Sequence, residues 1–304
     1  MGGASLGYKL AGHEVILAID KWRDTLKTHK YNLPDVEILE CDLSKDFNMG
    51  IPYADIFHLS PPCQSFSTSG KQQGFNSQNG NLFINALDII ATYLPKIFVI
   101  ENVKGLLSHL KKHKIEQLEE LRENYNIVSI LINAKDCGVC QSRERVFIIG
   151  MRNGVGEFVL PEPIKNNQTF QNVIDAVYDC NYGFPKHSQQ LIEKLTYIPQ
   201  GGNVLNIPKE IRPKAFKNSY SRLRLNQIPP TITRNYNCPS SANCIHPLEN
   251  RGLSEAEALF IQGFPSEWRV QGKNRNIQIG NAVPPQMIRW IMSGVKIREE
   301  QNYE

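Results

Sequence analysis

The first half of the chain alternates two apolar rhythms. Short β-branched runs at 15–19, 36–39, 56–59, 97–100, 127–132 and 146–150 have the length and composition of strands. Longer amphipathic stretches at 5–11, 22–29, 82–93 and 104–124 predict helices between them. Strands alternating with helices imply βαβ units, so the expected fold is α/β, a doubly wound and mostly parallel sheet. Sheets of this kind bind ligands beyond the carboxyl ends of their strands. Asp20, the run Ser60-Pro61-Pro62-Cys63 and the pair Glu101-Asn102 each fall just past a predicted strand. All three are expected at one ligand-facing edge.

Past residue 153 the alternation fades, and Asn, Gln, Pro and Gly become frequent. The expected division is a catalytic part at 1–152, a smaller loop-rich recognition region at 153–224, and a return to the catalytic part at 225–304. A helix at 254–261, the loop Gly280-Asn281-Ala282-Val283-Pro284-Pro285 and a last helix from Gln286 are expected in that return, ending in a frayed tail. Hydrophobic residues make up 41% and charged residues 21% of 304, enough apolar material for a real core. No apolar run approaches the ~20 residues that span a bilayer, and no basic-then-apolar leader opens the chain. The seven scattered cysteines suit a reducing cytosol. A net charge of +4 names no partner.

The candidate chemistry sits at the strand ends. Two prolines before Cys63 fix φ and remove backbone donors, a rigid pedestal for a thiol. Such a thiol serves as a nucleophile if cations lower its pKa, or as a small buried side chain beside a turn. Glu101 suits a proton donor or acceptor, or a helix N-terminal acid. Arg143 and Arg145, two apart before a strand, share a face in extended geometry and suit a phosphate or a base carbonyl, or a surface ion-pair patch. Gly2-Gly3 before a helix, with Asp20 about twenty residues on, follows a nucleotide-binding pattern. Trp22 stacks on an adenine or covers its helix, and Asp42 ends the next run at the same edge. Cys137-x-x-Cys140, like Cys238 with Cys244, lacks a four-ligand zinc pattern, so no metal is expected.

Together these segments resemble the DNA cytosine-5 methyltransferase family. The resemblance rests on Pro62-Cys63-Gln64-Ser65-Phe66-Ser67, Glu101-Asn102-Val103, Gln141-x-Arg143-x-Arg145 and Gly280-Asn281-Ala282-Val283-Pro284. Arg222-Leu223, Pro229-Pro230-Thr231-Ile232-Thr233 and Gln262-Gly263-Phe264-Pro265 add to it, in the family's usual order. The resemblance implies a Rossmann-like fold that binds S-adenosylmethionine, acting on a cytosine flipped out of double-stranded DNA. It makes Cys63 the nucleophile and Glu101 the partner of the base N3. Arg145 then supports the base carbonyl and Arg143 the catalytic loop, Asn281 braces the site, and Gln141 joins the catalytic set. Gly2, Gly3, Asp20, Trp22, Asp42, Leu43, Pro61, Leu82, Asn281 and Val283 become the cofactor set.

Target recognition in this family falls to the segment around 153–224. There Lys209, Arg212, Lys214, Lys217, Arg222 and Arg224 crowd together, with Ser67 a further expected DNA contact from the nucleophile loop. A solvated basic face is the other reading of that stripe. The family's first strand and Phe-x-Gly turn should precede Gly2-Gly3, and weak cofactor binding is the expectation for the chain without them. The other functional readings are an RNA cytosine-5 methyltransferase and a catalytically silent DNA-binding relative. A monomer in the bacterial cytoplasm, associated with the nucleoid and accompanied by a restriction endonuclease, completes the expectation.

Overall fold

The computed structural model describes residues 1–44, 50–62, 78–180, 182–216, 219–240 and 244–298. Six strands fall on the six predicted runs: β1 (Leu17–Asp20), β2 (Glu37–Glu40), β3 (Ile56–Leu59), β4 (Ile97–Asn102), β5 (Tyr125–Asn133) and β6 (Glu144–Arg152). Helices α1 (Gly3–Leu10), α2 (Arg23–Asn32) and α3 (Gln78–Tyr93) follow the amphipathic stretches. The single helix expected at 104–124 is instead two, α4 (Gly105–Lys112) and α5 (Glu116–Leu121). The apolar register explains the break. Leu106, Leu107 and Leu110 share one helical face, but the step from Leu110 to Ile115 is too long for a 3.6-residue period. Ile115 turns extended (φ −105°, ψ 108°) and restarts the apolar face with Leu118 and Leu121.

The sheet is mixed, which corrects the mostly parallel expectation. β3 pairs parallel with β4, but β6 lies between β4 and β5 and runs antiparallel to both. The reason is the link from β5 to β6, a short loop with one 3-10 turn at Ala134–Cys137. It is too short for the crossover helix that parallel pairing requires. Alternate residues of the strands feed opposite faces. Phe98, Ile100, Val146 and Ile148 pack against α3, α4 and α5. Ile97, Val99, Phe147 and Ile149 pack against Tyr8 of α1 and the apolar side of α10 (Pro285–Ser293). A Cβ on Gly7 would overlap the Pro285 carbonyl and Ile288, so glycine lets α1 lie close on α10.

β1 and β2 form a separate parallel pair. Among the described residues, neither β1 nor β3 pairs with a second strand, and a wide cleft lined by residues 13–22 and 51–62 separates them. The later chain adds α6 (Phe170–Val177), α7 (Gln189–Thr196), α8 (Glu255–Ile261) and α9 (Arg275–Asn281). β7 (Gly156–Phe158) and β8 (Val295–Ile297) fasten the segment after β6 to the end of the described chain. α9 was not foreseen because its sequence is polar. Gln278 holds it in place, buried and bonded to the Thr28 hydroxyl and to the Gln271 and Lys273 carbonyls. A small core of Leu195, Ile198, Val204, Ile207, Tyr220 and Ile245 organises the loop-rich region.

Candidate active site

The cleft between the two sheets measures about 2260 Å³, well beyond the ~300–1,000 Å³ of an ordinary small-molecule pocket. It has room for more than one ligand. One wall comes from the N-terminus of α1 (Gly2, Gly3), with Asp20, Trp22, Asp42 and Leu43 from beyond β1 and β2. The facing wall carries Pro61, Pro62, Leu82, Glu101 and Arg145, and the loop with Asn281 and Val283 completes it.

Glu101 stands at the end of β4 and Arg145 at the start of the antiparallel β6, so the register brings their side chains together. They form an ion pair of 3.0 Å with only 13% and 14% of the two side chains exposed. Arg145 Nη1 also donates to the Glu144 carbonyl (2.7 Å). Asn102, one residue on, is buried. Its Nδ2 donates to the Pro61 carbonyl (3.1 Å) and its Oδ1 accepts from the Val103 amide (2.9 Å). It thereby ties the Pro61-Pro62 loop to the strand of Glu101. The sequence placed Asn102 at the ligand-facing edge, in the motif with Glu101 and Val103, but assigned it no role.

Two other predicted catalytic residues are buried, Gln141 away from the cleft and Arg143 at its edge. Gln141 is fully buried and does not line the cleft. Its Nε2 donates to the Ile261 carbonyl and Gln262 Oε1, and its Oε1 accepts from the Ile232 amide, so it is a brace and not a catalytic group. Arg143 is buried too. It donates to the Ile232, Gly280 and Ala282 carbonyls at 3.1–3.3 Å, joining the loops at 229–233 and 280–283 to the start of β6. The expected pair of outward guanidiniums is therefore one outward, Arg145, and one inward. An isolated buried guanidinium is too costly to leave unbonded, which is why Arg143 sits among carbonyls.

On the opposite wall the Asp20 carboxylate accepts from the Trp22 amide (2.9 Å), and the Trp22 ring is exposed. Asp42 accepts from the amide and hydroxyl of Ser44. A Cβ on Gly3 would overlap the Val283 carbonyl, and Gly2 has φ 98°. Below the Pro61 loop, His58 links the Tyr8 hydroxyl (3.3 Å) to Ser60 Oγ (2.9 Å). Burial pushes the His58 imidazole down to about 4, so it is neutral at neutral pH. Cys63, Ser67 and Lys217 lie outside the described residues.

The predicted basic stripe divides. Lys209, Lys214 and Arg224 are exposed. Arg212 is half-buried and donates to the Ile207 and Leu205 carbonyls. Arg222 is buried, bonded to the carbonyls of Leu195, Ile198, His246 and Glu249 and to Asn250 Oδ1. The expectation that Arg222 meets DNA is therefore corrected: it is the pin of the small core. Cys137 and Cys140 face different cores, and burial raises both thiols to about 12. No cluster of metal-binding side chains occurs among the described residues. No helix among them is long and apolar enough to cross a membrane.

Fold and cleft together define an α/β enzyme with an acid and an arginine poised at its strand ends. The family of C-5 cytosine-specific DNA methylases matches residues 1–296, and the chain belongs to it, as a DNA (cytosine-5) methyltransferase. Type II methyltransferase M.NgoFVII of Neisseria gonorrhoeae is 33% identical over 333 residues, covering 100% of this chain and 86% of that protein. Type II methyltransferase M1.HphI of Haemophilus parahaemolyticus is 30% identical, covering 97% and 84%. Among solved structures, a putative DNA modification methyltransferase encoded within a prophage of E. coli superposes with a TM-score of 0.72 at 22% identity, over 96% of this chain and 94% of that one.

Proposed function

We propose that the chain methylates C5 of a cytosine flipped out of a specific duplex DNA sequence, through a covalent bond between Cys63 Sγ and C6. The Glu101–Arg145 pair carries this reading: a sheltered acid and a guanidinium 3.0 Å apart, on the wall that Asn102 ties to Pro61, two residues before Cys63 in sequence. Unactivated C5 is a poor nucleophile. Addition of the Cys63 thiolate at C6, with Glu101 holding a proton at N3 and Arg145 donating to O2, turns C5 into an enamine-like carbon. S-adenosylmethionine supplies the electrophilic methyl group. The C5 proton then leaves and the C6–S bond breaks, freeing the thiolate.

The opposite wall fits that donor. Gly2 and Gly3 bare the backbone at the start of α1, Asp20 suits ribose hydroxyls, Asp42 an exocyclic amine and the open Trp22 ring an adenine face. Leu43, Pro61, Leu82, Asn281 and Val283 complete the lining.

The region at 153–224 serves target recognition between catalytic parts at 1–152 and 225–304. The exposed Lys209, Lys214 and Arg224 meet phosphates. The type II names of the relatives support a companion restriction endonuclease, and a monomeric enzyme in the bacterial cytoplasm, at the nucleoid, completes the proposal. A duplex bearing 5-fluorocytosine, whose C5 cannot release a proton, should trap the protein as an adduct through Cys63 in the presence of S-adenosylmethionine. Cys63→Ser should give neither adduct nor turnover. An adduct through another cysteine, or undiminished turnover of the serine variant, overturns the proposal.

A further inference from the structure

Phe216 is the most exposed large apolar side chain among the described residues, at 88%. Burying a phenylalanine stabilises a fold, and this one is held out in water. Arg212 staples the strand of chain before it to the Ile207 and Leu205 carbonyls (2.9 and 2.8 Å). After it, the Ser219 amide donates back to the Phe216 carbonyl (2.8 Å), and the buried Tyr220, with φ 56°, donates its amide to the Pro239 carbonyl (3.0 Å). Ile207 and Tyr220, on either side of Phe216 in sequence, both belong to the small core. Lys214 and Lys209, two and seven positions before Phe216, are exposed, with Glu210 the exposed acid between them in sequence.

A solvent-held aromatic close in sequence to exposed cations fits a partner that is both polyanionic and rich in flat apolar faces, and duplex DNA is both. We infer that Phe216 is a wedge that inserts between base pairs of the target DNA, while Lys209 and Lys214 hold the flanking phosphates. The step exchanges base stacking for ring stacking on Phe216 and opens the duplex near the base to be extruded. This rests on the reading that duplex DNA is the substrate.

The test measures DNA binding without turnover. Duplexes retained by the wild-type protein from a random-sequence pool would be remade with 2-aminopurine at successive positions, whose fluorescence rises when it is unstacked. Wild type should brighten one or two positions. Phe216→Ala should lose that signal and bind about tenfold more weakly or worse, with an unchanged melting temperature, because an 88% exposed ring supports no core. Phe216→Trp should keep both. Equal affinity and an equal unstacking signal in Phe216→Ala would overturn the wedge and leave the DNA reading standing. A wild-type protein that retains no duplex removes the DNA reading and the wedge with it.

Discussion

The catalytic wall and the small lobe use cations by the same plan to different ends. In each, one buried arginine gathers backbone carbonyls from separate loops: Arg143 from 232, 280 and 282, Arg222 from 195, 198, 246 and 249. In each, other cations are left facing outward. At the wall, Arg145 has a fixed partner in Glu101 at 3.0 Å. In the lobe, Lys209 and Lys214 have no ion-pair partner among the described residues. A fixed, sheltered acid–cation pair is arranged for chemistry on one small group. Unpaired surface lysines suit a diffuse, exchangeable polyanion.

The sharpest way to break this contrast is at the wall. Glu101→Gln keeps the shape of the side chain but removes the ionisable group that pairs with Arg145 and would exchange a proton with N3. Turnover should fall by about 10²–10⁴-fold while DNA affinity changes little. A rate within a few-fold of wild type would show that the pair is only a structural tie.

The next effect is on stability, in the lobe. Arg222→Ala would remove one donor from three buried carbonyls, a part-buried one and a side-chain oxygen at once. Unfolding should cost about 3 kcal/mol less, or the lobe should melt separately, and Arg222→Lys should recover only part of it. A loss under about 0.5 kcal/mol in thermal denaturation would return Arg222 to the DNA-facing set.

These two regions also show what the sequence could disclose. Strand positions were legible because β-branched runs buried in a sheet are distinctive, as at 97–102 and 144–152. Glu101 and Arg145 were legible because spacing and strand ends put them at one edge. The direction of β6 was not, since strand direction depends on the route of a connection and not on the strand's own residues. Nor was the inward turn of Arg143 and Arg222. A buried arginine and a DNA-facing one have the same letter, and only the carbonyls brought together by distant loops decide between them. α9 was hidden for a related reason: one of the contacts that hold it comes from Thr28, 250 residues away.

A smaller effect should appear with pH. His29 is buried beneath α1, bonded to Ser5 Oγ (2.8 Å), and burial pushes it down to about 4. It is neutral in the folded protein, while in the unfolded chain it takes up a proton near 6.5. The unfolded state therefore binds more protons between about pH 6.5 and 4, and stability falls as pH drops through that window. A loss on the order of 1–3 kcal/mol is expected from this residue. His29→Gln should flatten the dependence of the melting temperature on pH in that range. An unaltered slope would show that other groups set the acid limit.

The smallest effect returns to the outward lysines. Lys209→Ala and Lys214→Ala should leave the melting temperature unchanged, because neither side chain is buried. Each should lower the slope of log affinity against log salt by about one, equally for every duplex sequence, because a phosphate contact releases a counterion without reading a base. At low salt the loss of affinity should be largest, and near physiological salt it should shrink. The same salt titration on Arg222→Lys separates the two kinds of cation: a pin of the lobe lowers stability and leaves the slope alone, whereas a phosphate contact does the reverse. If Lys209→Ala and Lys214→Ala leave the slope unchanged, the stripe is a solvated face and the lobe must meet DNA through other side chains.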